Sequence, residues 1–550
     1  MKNYWFLSLA LVLLVNLFGC VMTDTVLYAP SSEPVTLSVA KSSRPIPPYF
    51  FGIHPSRMPF LIGEVRNWSE VSDPTTQLIK EIQFTSIRGP AGVQANYYLW
   101  KEGECLTPLD PRFEKYYGPK SRYGYKRKHS LEEGYPGLML EDIYKTPQAT
   151  NLPYVFEVNV IAQDLPSIVQ QVKRIKQLTT QPIFLELGCE LYNGSFTAAV
   201  PDPHHHVQEI KQLTQAIKAI DPNIQVAIDG PSPALQRRAM IFKNQGQGDQ
   251  PDWDGSPAGR ILNFAKTVTQ NIQDYDATII HTYTPIATFD GQTPTSMMRY
   301  FFAFNELEQQ ACKKYFSKLK GKSVWVTEWG ILTQTMFREK DLILKAKKQI
   351  LKTPGVAIAQ IDWLMRMLDL KQITITSHHG MIDGQGFGLV QNGPRKTLIR
   401  LPLYYVFKAV GQLFADHRDY FPLQIDTQHS QSESVLQELD MKVFGTFGLT
   451  QPTVSLPDVG IWGFGKAKNL KAVVLINRTE EPREVTLPGH TLARYWTYGG
   501  SDPLPSFMTE KRVWTAPPQV NPLPTLLEEK SAKTITLDPF SMTLATVTKQ

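Results

Sequence analysis

The 550-residue sequence predicts a (β/α)8 barrel followed by an antiparallel β-sandwich. Three features predict it. Short apolar runs alternate eight times with amphipathic, helix-length stretches, the pattern of a parallel sheet with helical crossovers. Those units span about 370 residues, room for a barrel with loop insertions. Beyond about residue 418 the helical periodicity gives way to short strands punctuated by Gly, Pro and Asn.

The strands are expected at 49–54, 84–88, 154–160, 183–188, 224–228, 277–283, 323–329 and 373–378. The helix before the second carries Asp73–Pro74, taken as its cap and first turn. After "YVFEVNV", Ile168, Val172, Ile175 and Leu178 fall on one helical face. Val207, Ile210, Leu213, Ile217 and Ile220 do the same after the fourth strand, and Pro222 in "DPN" stops that helix. Further helices are expected at 258–272, 298–319, 339–369 and 402–415. Residues 101–150, rich in Tyr, Gly, Pro and charge, form the largest insertion and are placed at the cleft wall. The expected domains are a leader at 1–20, a polar stretch and joining strand at 21–45, the barrel at 46–417 and the sandwich at 418–550.

The composition is ordinary for a globular chain: 42% hydrophobic and 20% charged, with a net charge of +6 from 57 basic and 51 acidic residues. That balance, without a basic stripe interleaved with aromatics, gives no case for nucleic acid. It is compatible with an anionic substrate such as a uronic-acid polymer. The first residues carry Lys2 and an apolar run from Trp5 to Phe18, shorter than the roughly 20 residues of a bilayer span and suited to a secretory signal. The run ends in "LFGC", which resembles a bacterial lipobox with Cys20 as the lipidated residue; Val21 after it, rather than Asp, implies the outer membrane in a cell that has one. The remaining Cys105, Cys189 and Cys312 are odd in number and show no metal-ligand spacing, which argues against a disulfide scaffold. The "HHH" at 204–206 is expected in a solvated loop, since no second donor cluster stands at ligand spacing.

In a barrel of this kind, side chains at strand C-termini face the active site. Glu190 follows the fourth strand and Glu328 ends the seventh, so both belong on one rim. Two carboxylates across a cleft are what retaining glycoside hydrolysis needs: one attacks the anomeric carbon, the other protonates the leaving oxygen. Glu186, on the same strand as Glu190, is expected to face the barrel interior or a buried arginine.

The pieces "LELGCE" and "VTEWG" resemble the strand-four and strand-seven motifs of clan A glycoside hydrolases. "SIRGPAGVQANYYLW" is similar to the "LRFPGGxxAxYYxW" segment of heparanase and β-glucuronidase-like enzymes, placing the chain near family 79 with families 39, 51 and 30 as neighbours. The resemblance implies Glu328 as nucleophile, Glu190 as acid/base and Arg88 as the cation bonded to the nucleophile. It also implies His281 and Tyr283 beside that nucleophile, with Trp329, His378 and His379 lining the sugar site. It further implies a sandwich completed by a strand from before the barrel, and carbohydrate as the partner.

One departure stands out. The family carries Asn before the acid/base, bonding the sugar 2-hydroxyl; here the residue is Cys189, a weak donor. Three explanations follow: a substrate with an amino, acetamido or sulfate group at that carbon, a contact supplied by another side chain, or a barrel that binds glycan without turning it over. No G-x-G-x-x-G, P-loop or H-E-x-x-H occurs, and the expected chemistry needs no cofactor or metal.

Overall fold

A computed structural model describes residues 34–550 apart from 40–41, 56–68, 91, 119–136, 247–256, 286–293, 333–349, 383–387, 393–397, 426–430, 436–437, 440–448, 451–452, 468, 501–524 and 527–530. Cys20 and the leader lie outside the described residues.

Eight parallel strands close into a barrel in chain order. They are Tyr49–His54, Ser86–Gly89, Tyr154–Val158, Ile183–Leu187, Gln225–Asp229, Ala277–Pro285, Ser323–Leu332 and Ile373–His379. Alternation along each strand sorts its residues. Tyr49, Val155, Phe184, Ala227, Ala277, Ile279, Trp325 and Ile375 meet inside as one apolar layer, with Trp325 edge-on to Phe184 at 5.5 Å. This layer plugs the lower barrel, so everything polar inside the barrel stands above it.

Most helices around the barrel follow from caps and apolar faces; the one before strand two runs Ser69–Ile82 with Pro74 inside it, so it starts earlier than the expected cap at Asp73. In Leu165–Leu178, Asp164 accepts from the Ser167 amide while Ile168, Val172 and Ile175 are buried. Pro203–Ile220 begins earlier than expected, because Asp202 caps it at His204 and Pro203 fits the first turn. The three histidines are therefore helical, and His206 is buried against Phe264 rather than solvated in a loop. The expected 339–369 helix is described only from Pro354 to Asp369, its start set by Pro354; 339–349 lie outside the described residues. Every residue from Pro354 to Leu368 is buried, since the barrel covers one side of this helix and a second sheet the other.

That sheet is mostly antiparallel. Its strand Val35–Val39 runs antiparallel to Asp419–Ile425 and parallel to Arg483–Thr486, so one pairing departs from a purely antiparallel sandwich. Strands from opposite ends of the strand order share one apolar cluster, Leu37, Val485 and Leu537 with Val473, Leu475 and Val547. The sheet therefore folds over on itself. Its other face, including Trp462, Phe464, Val474 and Ile476, belongs to the barrel's core.

Buried charges tie the two parts together. Asp362, in the covered helix, accepts from Arg366 Nε at 2.7 Å and from Arg478 Nη2 of the sheet at 2.6 Å. No helix among the described residues is long and apolar enough to cross a membrane.

Candidate active site

Two residues beyond the apolar layer, the inward positions become ionisable. Strands three to six place Glu157, Glu186, Asp229 and His281 there, all buried. Arg88 enters from strand two with no exposed surface and becomes the hub of this layer. Its Nη2 lies 2.6 Å from Glu157 Oε1 and 2.8 Å from Glu186 Oε1, its Nε donates to Glu186 Oε2, and its Nη1 donates to Glu328 Oε1.

Glu328 reaches the cavity through a bulge. Between strands six and seven, Ile279 pairs with Trp325 and His281 with Glu328, so strand seven holds one extra residue. Against strand eight the same excess lies between Val326 and Trp329. Thr327 and Glu328 therefore both turn inward, where an unbroken alternation would send Glu328 out. Thr327 Oγ1 is 3.2 Å from His281 Nε2, and Glu328 Oε2 accepts from the Tyr283 hydroxyl at 2.6 Å.

Glycine lets the next loop close over this carboxylate. Gly92 has φ 61°, and a Cβ there would sit 2.6 Å from Glu328 Oε1. Its amide donates to Glu157 Oε2 at 2.9 Å, so the strand-three carboxylate anchors the loop from below.

Glu190 stands on the opposite side, just past strand four, with φ 53°. Its side chain is 21% exposed against 6% for Glu328, making it the carboxyl that meets solvent. His281 Nδ1 lies 3.1 Å from Glu190 Oε1 and 3.7 Å from Glu328 Oε2. Carboxylate oxygens of Glu190 and Glu328 and a nitrogen of His281 all fall within 4.8 Å of one another.

The crowding sets the charge states. Burial alone would raise Glu328, but His281, His379 and Arg88 outweigh it and hold the carboxyl well below its usual range. Burial would likewise neutralise His281, yet Glu328, Glu186 and Glu190 keep it an imidazolium. Glu157 is pushed up to about 8 by burial, against the pull of Arg88 and with the push of Glu186 and Glu328. Asp229 is pushed up to about 7, again by burial. Desolvation also keeps Cys189 a thiol. One arginine cannot hold every carboxylate near it ionised; the cluster keeps protons on the least supported ones.

Of the site residues expected from the sequence, Arg88, Cys189, Glu190, His281, Tyr283 and Glu328 come together here. Cys189 is fully buried, its Sγ 3.6 Å from Arg88 Nη2. Trp329 and His378 do not line the cavity. The bulge that turns Glu328 in turns Trp329 out, where it stacks on Phe407 at 5.9 Å, and His378 donates to or accepts from Gln360 at 2.8 Å in the same outer layer. Both are wall residues. His379, one position on, faces inward, 3.7 Å from Glu328 Oε2 and 3.0 Å from His54 Nδ1. Glu157, Asp229, His54 and Asn96 were not singled out from sequence; the signal available was a lone polar residue at an inward position of an apolar strand, as in "YVFEV" and "QVAID".

Groupings such as His54, Glu328 and His379 bring one donor atom each within 4.8 Å, and Glu328 belongs to three of the four such groupings among the described residues. A cation bound there would compete with Arg88 for one carboxylate.

The α-L-arabinofuranosidase of family 51 from Bifidobacterium longum superimposes with a TM-score of 0.62 at 14% identity, over 94% of this chain and 100% of that one. The α-L-arabinofuranosidase from Thermotoga maritima, solved with arabinose, gives 0.58 at 12% over 94% and 100%. A 4-O-α-L-rhamnosyl-β-D-glucuronidase from Fusarium oxysporum gives 0.54 at 12% over 93% and 100%. The chain shares their fold, barrel and appended sheet together. No family model and no curated protein matches the sequence.

Proposed function

We propose that the chain is a retaining glycoside hydrolase, with Glu328 as nucleophile and Glu190 as acid/base. The observation that carries this is the approach of a Glu190 oxygen to within 4.8 Å of a Glu328 oxygen at the open end of the barrel. Retaining enzymes hold their carboxyl groups about 5–5.5 Å apart, whereas inverting ones need roughly 6.5–9.5 Å to admit a water. In this reading Glu328 attacks the anomeric carbon as the glycosidic C–O bond breaks, and Glu190 gives its proton to the departing oxygen. Glu190 then takes a proton from water, whose oxygen attacks the same carbon and frees Glu328. The ionised state and fixed position of Glu328, between Arg88 and Tyr283, suit a nucleophile. The exposure of Glu190 suits a group that must meet both leaving oxygen and water.

The proposed substrate is a neutral glycoside, with pentosides such as arabinofuranosides first. Among the described residues, Arg88 and His281 already pair with Glu157, Glu186 and Glu190, which leaves them poorly placed to receive a uronate. Arabinofuranosidases share the fold, and so does a rhamnosyl-glucuronidase, so glucuronides stay in the substrate panel. Cys189 lies buried against Arg88, so the proposal gives it no bond to a sugar 2-hydroxyl, and 2-amino sugars belong in any substrate panel. The "LFGC" leader extends the proposal to an envelope protein anchored through Cys20; wild type, but not Cys20→Ala, should enter the detergent phase on Triton X-114 partitioning.

The test is turnover of aryl arabinofuranosides, xylosides, glucosides, glucuronides and 2-amino glycosides by residues 21–550, with Glu328→Gln alongside. Turnover of at least one, abolished in the variant, is the expected result. Glycan binding without turnover by either protein would overturn the enzymatic reading.

A further inference from the structure

The segment that carries Glu190 is held by three buried side chains from outside it. Asn96, on the short helical turn Gly92–Tyr97, takes both sides of residue 189: its Oδ1 accepts from the Cys189 amide at 3.0 Å and its Nδ2 donates to the Cys189 carbonyl at 2.6 Å. Asp229, at the end of strand five, accepts from the Leu191 amide at 2.7 Å. Arg260, on helix Pro257–Asn271, donates to the carbonyls of Leu191 at 2.6 Å, Tyr192 at 3.1 Å and Val200 at 2.6 Å. The three side chains are 0%, 1% and 2% exposed.

Two features exceed what loop satisfaction requires. Glu190 holds φ 53°, a left-handed conformation that is strained for a non-glycine residue and persists only where its surroundings over-determine it. The bonds at residues 189 and 191 fix the peptides on both sides of that strained residue. Second, a fully desolvated guanidinium is spent on three neutral carbonyls of one loop. Burial without a compensating charge holds Arg260 down to about 10. A solvent-facing polar side chain would satisfy such carbonyls at lower cost.

We propose that Asn96, Asp229 and Arg260 are positioning residues for proton transfer by Glu190. The clamp aims the Glu190 carboxyl at the leaving oxygen while His281 holds it from the side. The proposal rests on Glu190 being the acid/base.

It is tested by Arg260→Lys, whose single ammonium reaches fewer carbonyls, and Asn96→Asp, which keeps the acceptor and loses the donor. Each is assayed for kcat/KM on the phenyl and 2,4-dinitrophenyl glycosides of the sugar that the panel selects. A dinitrophenolate departs without protonation, so misaimed Glu190 costs little there. A displacement of about 1 Å can cost on the order of 100-fold. The variants should lose about 10- to 100-fold on the phenyl glycoside and less than about threefold on the dinitrophenyl one. Within one preparation the ratio of the two values is independent of the fraction folded, so poor folding cannot imitate the effect. Glu190→Gln should show the same selectivity, more strongly. Equal losses on both glycosides by the clamp variants, or no loss, with Glu190→Gln selective, would overturn the clamp and leave the acid/base intact. A Glu190→Gln that is itself unselective would instead overturn the reading on which the clamp rests.

Discussion

Among the described residues, two buried ionic clusters differ in the count of their charges, one at the barrel–sheet interface and one at the barrel mouth. At the barrel–sheet interface two arginines, Arg366 and Arg478, meet two acids, Asp362 and Glu306. Burial would raise both acids, but the arginines win and both stay low. At the barrel mouth one arginine serves Glu157, Glu186 and Glu328, with Asp229 and Glu190 close by. There burial and mutual repulsion leave Glu157 near 8 and Asp229 near 7. A balanced cluster fixes geometry. An unbalanced one keeps protons on buried carboxyls at neutral pH, here Glu157 and Asp229 beneath the proposed catalytic pair.

Substitutions in the two clusters should therefore fail in opposite ways. Glu328→Gln removes a charge from the overcrowded side; turnover should fall by at least about 10⁴-fold with the melting temperature unchanged or raised, read by steady-state kinetics and calorimetry. Asp362→Asn breaks the balanced cluster, leaving Arg478 without its carboxylate and Arg366 with Glu306 alone, which should cost about 3–5 kcal/mol of stability while the pH profile of the surviving activity is unchanged. Tyr283→Phe removes the hydroxyl bonded to Glu328 and should lower kcat about 10- to 100-fold, with little effect on melting.

A smaller effect separates the clusters by pH. The fold favours protonated Glu157, whose carboxyl rises from 4.5 to about 8. Its stabilising contribution is fully present below about pH 4.5 and is lost as pH rises through about 8. Glu157→Gln should flatten that decline in denaturant titrations from pH 5 to 8. Smallest of all, His378→Gln keeps a partner for Gln360 in the wall; kcat/KM should stay within about twofold of wild type, as for other substitutions away from the chemistry.

The barrel was legible because its strands read as apolar runs and its helices as capped amphipathic faces. The two glutamates were legible because strand order alone puts the ends of strands four and seven on one rim. What sequence could not give was the extra residue in strand seven. Strict alternation from Trp325 would turn Trp329 inward, and only the pairing of His281 with Glu328 shows that the bulge turns it out; His378 follows plain alternation from the inward Ile375 and faces the wall without any bulge. Glu157 and Asp229 escaped for a related reason. A single acid in an apolar strand looks the same whether it faces other ionisable groups or solvent, until closure of the barrel brings Glu157 to Arg88 and Asp229 near His281 and Glu186. The helical start at Pro203 was hidden by three histidines that read as polar, although Asp202 supplied the cap.

The central claim is that Glu190 and Glu328 act as a retaining pair, and stereochemistry tests it most directly. Proton NMR would follow the first product released from an aryl glycoside that the enzyme turns over, before mutarotation. The two-glutamate account predicts a product with the substrate's own anomeric configuration. Initial appearance of the opposite anomer would contradict it.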